Sequence, residues 1–70
     1  MSSRFKVDPK VVDLTSLLIR LAIELDEYWR RSSPSHEVDE KELAEVLRLL
    51  DEMSRLLARM REMLSSKPLA

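Results

Sequence analysis

The fold of this chain follows from residues 38–64, which read VDEKELAEVLRLLDEMSRLLARMREML. Apolar side chains recur there every three or four residues, which is the period of an α-helix that buries one face. The stretch opens on Asp39, and Glu42 follows three residues later with the capping-box spacing of a helix N-terminus. Residues 38–64 therefore predict a long amphipathic helix that needs a partner along its apolar face.

The apolar face of this helix is wide because three positions of each heptad are apolar. Leucine fills position a, valine and methionine fill d, and leucine and methionine fill g. The a residues are Leu43, Leu50, Leu57 and Leu64, the d residues are Val46, Met53 and Met60, and the g residues are Leu49, Leu56 and Met63. One neighbouring helix covers the a and d positions only, so we expect the g residues to stay largely exposed in a single hairpin.

The first helix is predicted from Asp8 and Pro9, an N-cap acid followed by a proline at the first helical position. This helix carries a second apolar stripe, well round its circumference from the residues expected to contact the other helix. The apolar residues of the whole helix together span about 240° of that circumference. The expected contact residues are Val11, Leu14, Leu18, Leu21, Leu25 and Tyr28, flanked by Leu17, Ala22 and Trp29. The second stripe consists of Val12, Ile19 and Ile23.

The two helices are separated by residues 32–36, the only segment with turn composition, in which Pro34 prevents one continuous helix. We predict an all-α protein, an antiparallel helical hairpin that assembles into a four-helix bundle. Its helices are expected over about 9–31 and about 36–65.

The hairpin occupies residues 8–66 in this prediction. Residues 1–7 are expected to form a flexible N-terminal segment, and residues 67–70 a C-terminal tail. The second helix has two candidate starts, at Asp39 and at Ser33, and we expect a ragged first turn between them.

The apolar surface is larger than one hairpin can bury, so we expect the chain to associate with itself. A homodimer is favoured because twofold homodimers are the commonest oligomers, and a trimer or larger assembly is the alternative. The expected interface is Leu14, Leu18, Ile19, Leu21, Ile23, Leu25, Leu49, Leu50, Met53, Leu56, Leu57 and Met60. A second hypothesis is a binding module that docks another protein's helix on the stripe of Val12, Ile19 and Ile23.

Composition argues against several other classes of protein. The chain has no cysteine, which removes disulfides and thiol chemistry, and no glycine, which removes phosphate-binding loops. Charged residues make up 36% of it, yet the net charge is −1, whereas nucleic-acid binding needs clustered basic residues. Because no membrane span or signal peptide is recognisable, we expect a soluble, cytoplasmic protein that binds neither nucleic acid nor membrane.

Few polar residues fall inside or beside the apolar arcs of the two helices. Thr15 and Ser54 are candidates for buried polar residues, because they fall inside the apolar arcs and nearly opposite one another in the hairpin. Each could contact a ligand or bond a carbonyl of its own helix. Asp26 could be a buried acid, although an exposed pair with Arg30 is the simpler interpretation. His36 is interpreted as a surface residue of the loop.

Catalysis is not expected, because no histidine or cysteine lies in a helix interior to activate a nucleophile. No cofactor or metal is expected either. Metal sites in helix bundles use Glu-x-x-His, and Ser33 stands where His36 would need the glutamate. Tyr28 and Trp29 either close the loop end of the core or anchor a partner.

The regular caps and heptads, the absence of glycine and the leucine, glutamate and arginine composition resemble artificial helical bundles, whether designed or generated. The hairpin is similar in size to the Rop-like four-helix dimers, a resemblance that implies architecture alone. Asp8-Pro9, Val12-Asp13 and Met60-Arg61-Glu62 also look like parts of gas vesicle protein K. In that family an aspartate-proline helix start precedes an apolar helix and then a charged amphipathic one.

Overall fold

The computed structural model describes residues 4–65 and contains two α-helices, α1 (Pro9–Ser32) and α2 (Glu40–Ser65). The helices pack against each other and are joined by a short connection, so the predicted all-α hairpin is confirmed. α1 matches its predicted bounds to within one residue. Residues 1–3 and 66–70, which belong to the predicted terminal segments and the last turn of the second helix, lie outside the described residues.

Asp8 begins α1 as predicted. Its backbone is extended, with φ −62° and ψ 129°, and its Oδ1 accepts a hydrogen bond from the Lys10 amide at 2.9 Å. The Asp8 carbonyl accepts another from the Val11 amide, also at 2.9 Å. Pro9 follows at the start of the helix, where its missing N–H costs nothing because the first amides have no helical acceptor.

A capping box at Asp39 begins α2. Asp39 Oδ1 accepts a hydrogen bond from the Glu42 amide at 2.7 Å, and Glu42 Oε1 accepts one from the Asp39 amide at 3.1 Å. Two amides that have no acceptor within the helix thus gain one each. The expected start near residue 36, with a ragged turn reaching back towards Ser33, is therefore wrong, because α2 begins at Glu40.

Removing this cap should lower the stability of the hairpin. We expect Asp39→Ala to reduce the free energy of unfolding by about 1 kcal/mol, because the Glu42 amide loses its acceptor and the helix loses an acidic group near its positive end. Urea unfolding followed by circular dichroism measures the change. Asp39→Asn keeps a side-chain acceptor and should stay within a few tenths of a kcal/mol of the parent. Equal losses for the two variants would contradict the role of the cap.

The connection reverses the chain without a glycine. Ser33 caps α1 in an extended conformation, and its amide donates to the Arg30 carbonyl at 3.3 Å. His36 has φ 56°, in the left-handed region that glycine usually occupies, and its amide donates to the Ser32 carbonyl at 2.7 Å. His36 is exposed, so the structure places it on the surface of the turn.

The contact between the helices is narrow. Within residues 4–65, the fully buried side chains are Val46 and Leu49 of α2, with 3% and 1% exposed, and Val11 of α1, with 7% exposed. Half-buried side chains extend this contact along both helices. They include Leu14, Thr15, Leu18, Leu21, Leu25 and Tyr28 on α1, and Met53, Leu56, Met60 and Met63 on α2.

The contact uses a different side of α2 from the one expected. Its d and g positions face α1, whereas the leucines at the a positions are exposed. The expectation that Leu49, Leu56 and Met63 would be left exposed in a single hairpin is therefore wrong. A wide apolar arc can contact a neighbouring helix either through its a and d positions or through its d and g positions. Heptad assignment alone does not distinguish between these two contacts.

Candidate interaction surface

α1 exposes the apolar stripe that one neighbouring helix was not expected to cover. Val12, Ile19 and Ile23 are exposed to 59%, 55% and 56%, and Trp29, closer to the loop, is exposed to 40%. Full burial of such a side chain is worth about 1.5–3 kcal/mol relative to leaving it in water. The single hairpin forgoes a large part of this stabilisation on α1.

α2 exposes a row of leucines that runs along most of the helix. Ser54 is also exposed and lies in the middle of this row, between two of the leucines. The exposed leucines are Leu43, Leu47, Leu50, Leu57 and Leu64.

The stripe on α1 and the row on α2 lie on the same side of the hairpin. Viewed down each helix from its N-terminus, these residues lie clockwise from the mean direction of the interhelix contact, by up to nearly half a turn at 3.6 residues per turn. Because the helices of a hairpin run in opposite directions, clockwise on both helices leads to one side. We call this surface the apolar face; it consists of Val12, Ile19, Ile23 and Trp29 of α1 with Leu43, Leu47, Leu50, Leu57 and Leu64 of α2.

The opposite side of the hairpin is charged, and both helices contribute to it. One open groove there is lined by Arg20 and Glu24 of α1 together with Glu52 and Arg55 of α2. Closer to the loop, a second groove brings Tyr28 of α1 beside Asp39, which caps α2, and beside four charged residues of α2: Lys41, Glu42, Glu45 and Arg48. The hairpin is therefore amphipathic as a unit, with one charged side and one apolar face.

Arg48 organises the charges on the polar side. Its Nε and Nη2 donate to the two carboxylate oxygens of Glu45, both at 3.1 Å, and its Nη1 donates to Glu52 at 2.9 Å. The hydrogen bonds and charge of Glu45 raise the pKa of Arg48, with smaller contributions from Glu52 and from Glu24 across the interhelix contact. The same pair lowers the pKa of Glu45.

The lowered pKa of Glu45 predicts how this pair responds to acid. A carboxyl whose pKa is lower in the folded state stabilises the fold above its unfolded pKa, and this stabilisation is lost as the pH falls through the folded pKa. We expect side-chain carboxyl NMR to give Glu45 a titration midpoint below the ordinary value of 4.5, and Arg48→Met to return it towards that value. Arg59→Met, on the same helix but about 16 Å further along it, should leave the Glu45 midpoint unchanged.

The structure does not bury Thr15 and Ser54 together, because one is half-buried and the other is exposed. Thr15 is half-buried, and its hydroxyl donates to the Val11 carbonyl of its own helix at 2.9 Å. Ser54 is exposed on the single chain, in the middle of the apolar face.

Asp26 forms an exposed pair with the arginine four residues on, rather than a buried acid site. Arg30 Nε donates to Asp26 Oδ2 at 2.7 Å, and both side chains are more than half exposed. This hydrogen bond and the charge of Asp26 raise the pKa of Arg30. Because it is exposed, the pair contributes little to stability.

The two neighbouring aromatic residues of α1 face different sides of the hairpin. Tyr28 is half-buried on the polar side, where the Arg31 guanidinium lies 4.7 Å from the centre of its ring. This cation–π contact between residues three apart in the helix was not anticipated, although the spacing permits it. Trp29 is 40% exposed on the apolar face, whereas Tyr28 is half-buried near the loop end of the hairpin.

Within residues 4–65, neither helix is long and apolar enough to cross a membrane. In the same range, no group of three or more histidine, cysteine or acidic side chains is placed to hold a metal ion. No protein-family model matches the chain, and no curated protein or solved structure is significantly similar to it.

Proposed function

We propose that this chain is a structural, self-associating helical hairpin without catalytic activity, and that two copies join their apolar faces to form a homodimeric four-helix bundle. The observation that carries this proposal is the side-by-side placement of the Ile19 stripe on α1 and the leucine row on α2. An apolar surface to which both helices contribute is what a second copy of the same hairpin can cover.

The exposed area supports the proposal. The accessible surface of the chain is 6381 Å², whereas area scaling gives a compact monomer of 8.2 kDa about 4,500 Å². The excess of roughly 1,900 Å² is more than twice the ~800 Å² that each partner contributes to a standard stable interface. The hairpin therefore exposes more surface than a compact chain of its mass, and a second copy can cover part of it.

The angular placement of the two contacts also supports a four-helix bundle. Each helix of such a bundle touches two neighbours that lie about 90° apart round its axis. On α2 the exposed leucines lie about a quarter of a turn from the residues that face α1, which suits this arrangement. On α1 the second stripe lies further round, and Ile23 is almost opposite the interhelix contact. A six-helix trimer with α1 inside would bury that residue better.

Sedimentation equilibrium at micromolar concentration tests the proposal. We expect a mass twice the 8.2 kDa of the chain. A mass of three chains would replace the dimer by the trimer and keep self-association. A folded hairpin that sediments as a single chain at these concentrations would overturn the proposal.

A second candidate function rests on the position of Ile23. Because Ile23 lies outside the sector that a dimer buries well, the stripe of Val12, Ile19 and Ile23 can also receive the apolar side of a helix from another protein. Under this alternative the chain is a binding module of a mixed complex. Substitution of Ile19, considered in the Discussion, distinguishes the two functions.

A further inference from the structure

We propose that two copies of this chain stack with their loops at opposite ends, so that α1 lies on α1 and α2 lies on α2 of the partner. This inference rests on the proposed self-association and adds to it the orientation of the second copy. Two hairpins that stack their apolar faces can be related by a twofold axis in two ways. In one, the loops lie at the same end and α1 packs on α2 of the partner. In the other, the loops lie at opposite ends, and each helix packs on the same helix of the partner.

The two ends of the hairpin carry opposite charge. The loop end, residues 26–42, has six acidic and three basic residues. The open end, residues 4–13 with residues 59–65, has five basic and three acidic residues. Loops at the same end would stack two acidic ends on one another and two basic ends on one another. Loops at opposite ends pair each acidic end with a basic end, which is electrostatically complementary.

Side-chain sizes in the middle of the apolar face agree with this orientation. When two hairpins overlap over their full length with loops at opposite ends, the twofold axis passes the centre of α1, which lies between Ile19 and Ala22. Ile19 then lies against the partner's Ala22, and Leu50 lies against the partner's Ser54. Large side chains therefore meet small ones at the twofold axis on both pairs of helices, which permits close packing.

Spin labels on single cysteines measure the orientation directly, because the chain has no cysteine of its own. In Ser35→Cys the label lies in the loop. With loops opposed, the two labels of a dimer should be about 40 Å or more apart, given the 1.5 Å rise per helical residue. With loops together, they should be within about 25 Å, because packed helices lie 8–10 Å apart. Arg20→Cys is the control: its label lies halfway along the hairpin, so two labels should be within about 35 Å in both arrangements.

Double electron–electron resonance on the full-length variants gives three distinguishable results. A long distance for Ser35→Cys and a short one for Arg20→Cys supports the opposed orientation. Short distances for both variants overturn this orientation and leave self-association intact. Absence of a distance for both variants, together with a single-chain mass, overturns the proposed function and the orientation with it.

Discussion

Replacing Ile19 by glutamate should dissociate the proposed dimer into folded single chains of 8.2 kDa. Ile19 is 55% exposed in the single hairpin, so the substitution leaves the contact between α1 and α2 intact. In the proposed bundle the same position is buried near the twofold axis, where an unpaired charge costs about 3–5 kcal/mol. Two copies of the substitution per dimer should therefore weaken association by at least about 100-fold, at 1.4 kcal/mol per tenfold change.

Leu17→Glu is the matched control for Ile19→Glu. Leu17 is also on α1 and is exposed to a similar extent, 46%, but it lines the groove on the polar side. We expect Leu17→Glu to remain a dimer in sedimentation equilibrium while Ile19→Glu becomes a single chain. Equal masses for the two variants would show that the apolar face is not the interface. If Ile19→Glu stays dimeric but no longer binds another protein that the parent binds, the binding-module function is the correct one.

Replacing Leu49 by alanine should destabilise the hairpin itself. Leu49 is the most deeply buried side chain among residues 4–65, with 1% exposed. Leucine-to-alanine substitutions at buried positions cost about 2–5 kcal/mol, because apolar contacts are lost and a cavity remains. In a hairpin whose buried core is this small, we expect a loss of about 3 kcal/mol in the free energy of unfolding. Urea denaturation measures it at a fixed protein concentration, since the proposed dimerisation would also contribute to stability.

Two further variants show whether the effect comes from the contact between α1 and α2. Leu17→Ala removes the same atoms from a half-exposed leucine and should cost less than about 1 kcal/mol. Leu49→Met conserves volume and should cost less than about 1.5 kcal/mol, so it remains measurable if the alanine variant is unfolded. A loss for Leu49→Ala no larger than that for Leu17→Ala would contradict the buried position of Leu49.

The start of α1 could be predicted from the sequence, and Asp39 was one of the two candidate starts of α2, because caps are local features. Asp8 followed by Pro9, and Asp39 followed by Glu42, specify backbone hydrogen bonds within three residues of themselves, and the structure contains these bonds. The predicted ragged first turn between Ser33 and Asp39 is wrong, because α2 begins at Glu40. Pro34 there is compatible with a first helical turn, but no carboxylate follows at the spacing that would complete a capping box.

The side of α2 that faces α1 could not be predicted in the same way. Leu49 and Leu50 are adjacent leucines on one broad arc, and periodicity gives both of them the same tendency to be buried. The structure buries Leu49 and exposes Leu50. The choice depends on the register and rotation of α2 against α1, which are set by all contacts along both helices. Exposure of Ile19 and Ile23 could be predicted because these residues lie too far round α1 for any single neighbour to cover.

The left-handed conformation of His36 has a consequence for the robustness of the molecule. An L-residue in this region of backbone space costs roughly 1–2 kcal/mol, because its Cβ lies close to a neighbouring carbonyl oxygen. The backbone conformation of His36 therefore lowers the stability of the folded hairpin, and the other contacts of the hairpin must compensate for this cost. Directed selection for heat resistance should therefore yield glycine or asparagine at position 36 before it yields any change in the closely packed residues of α1 and α2.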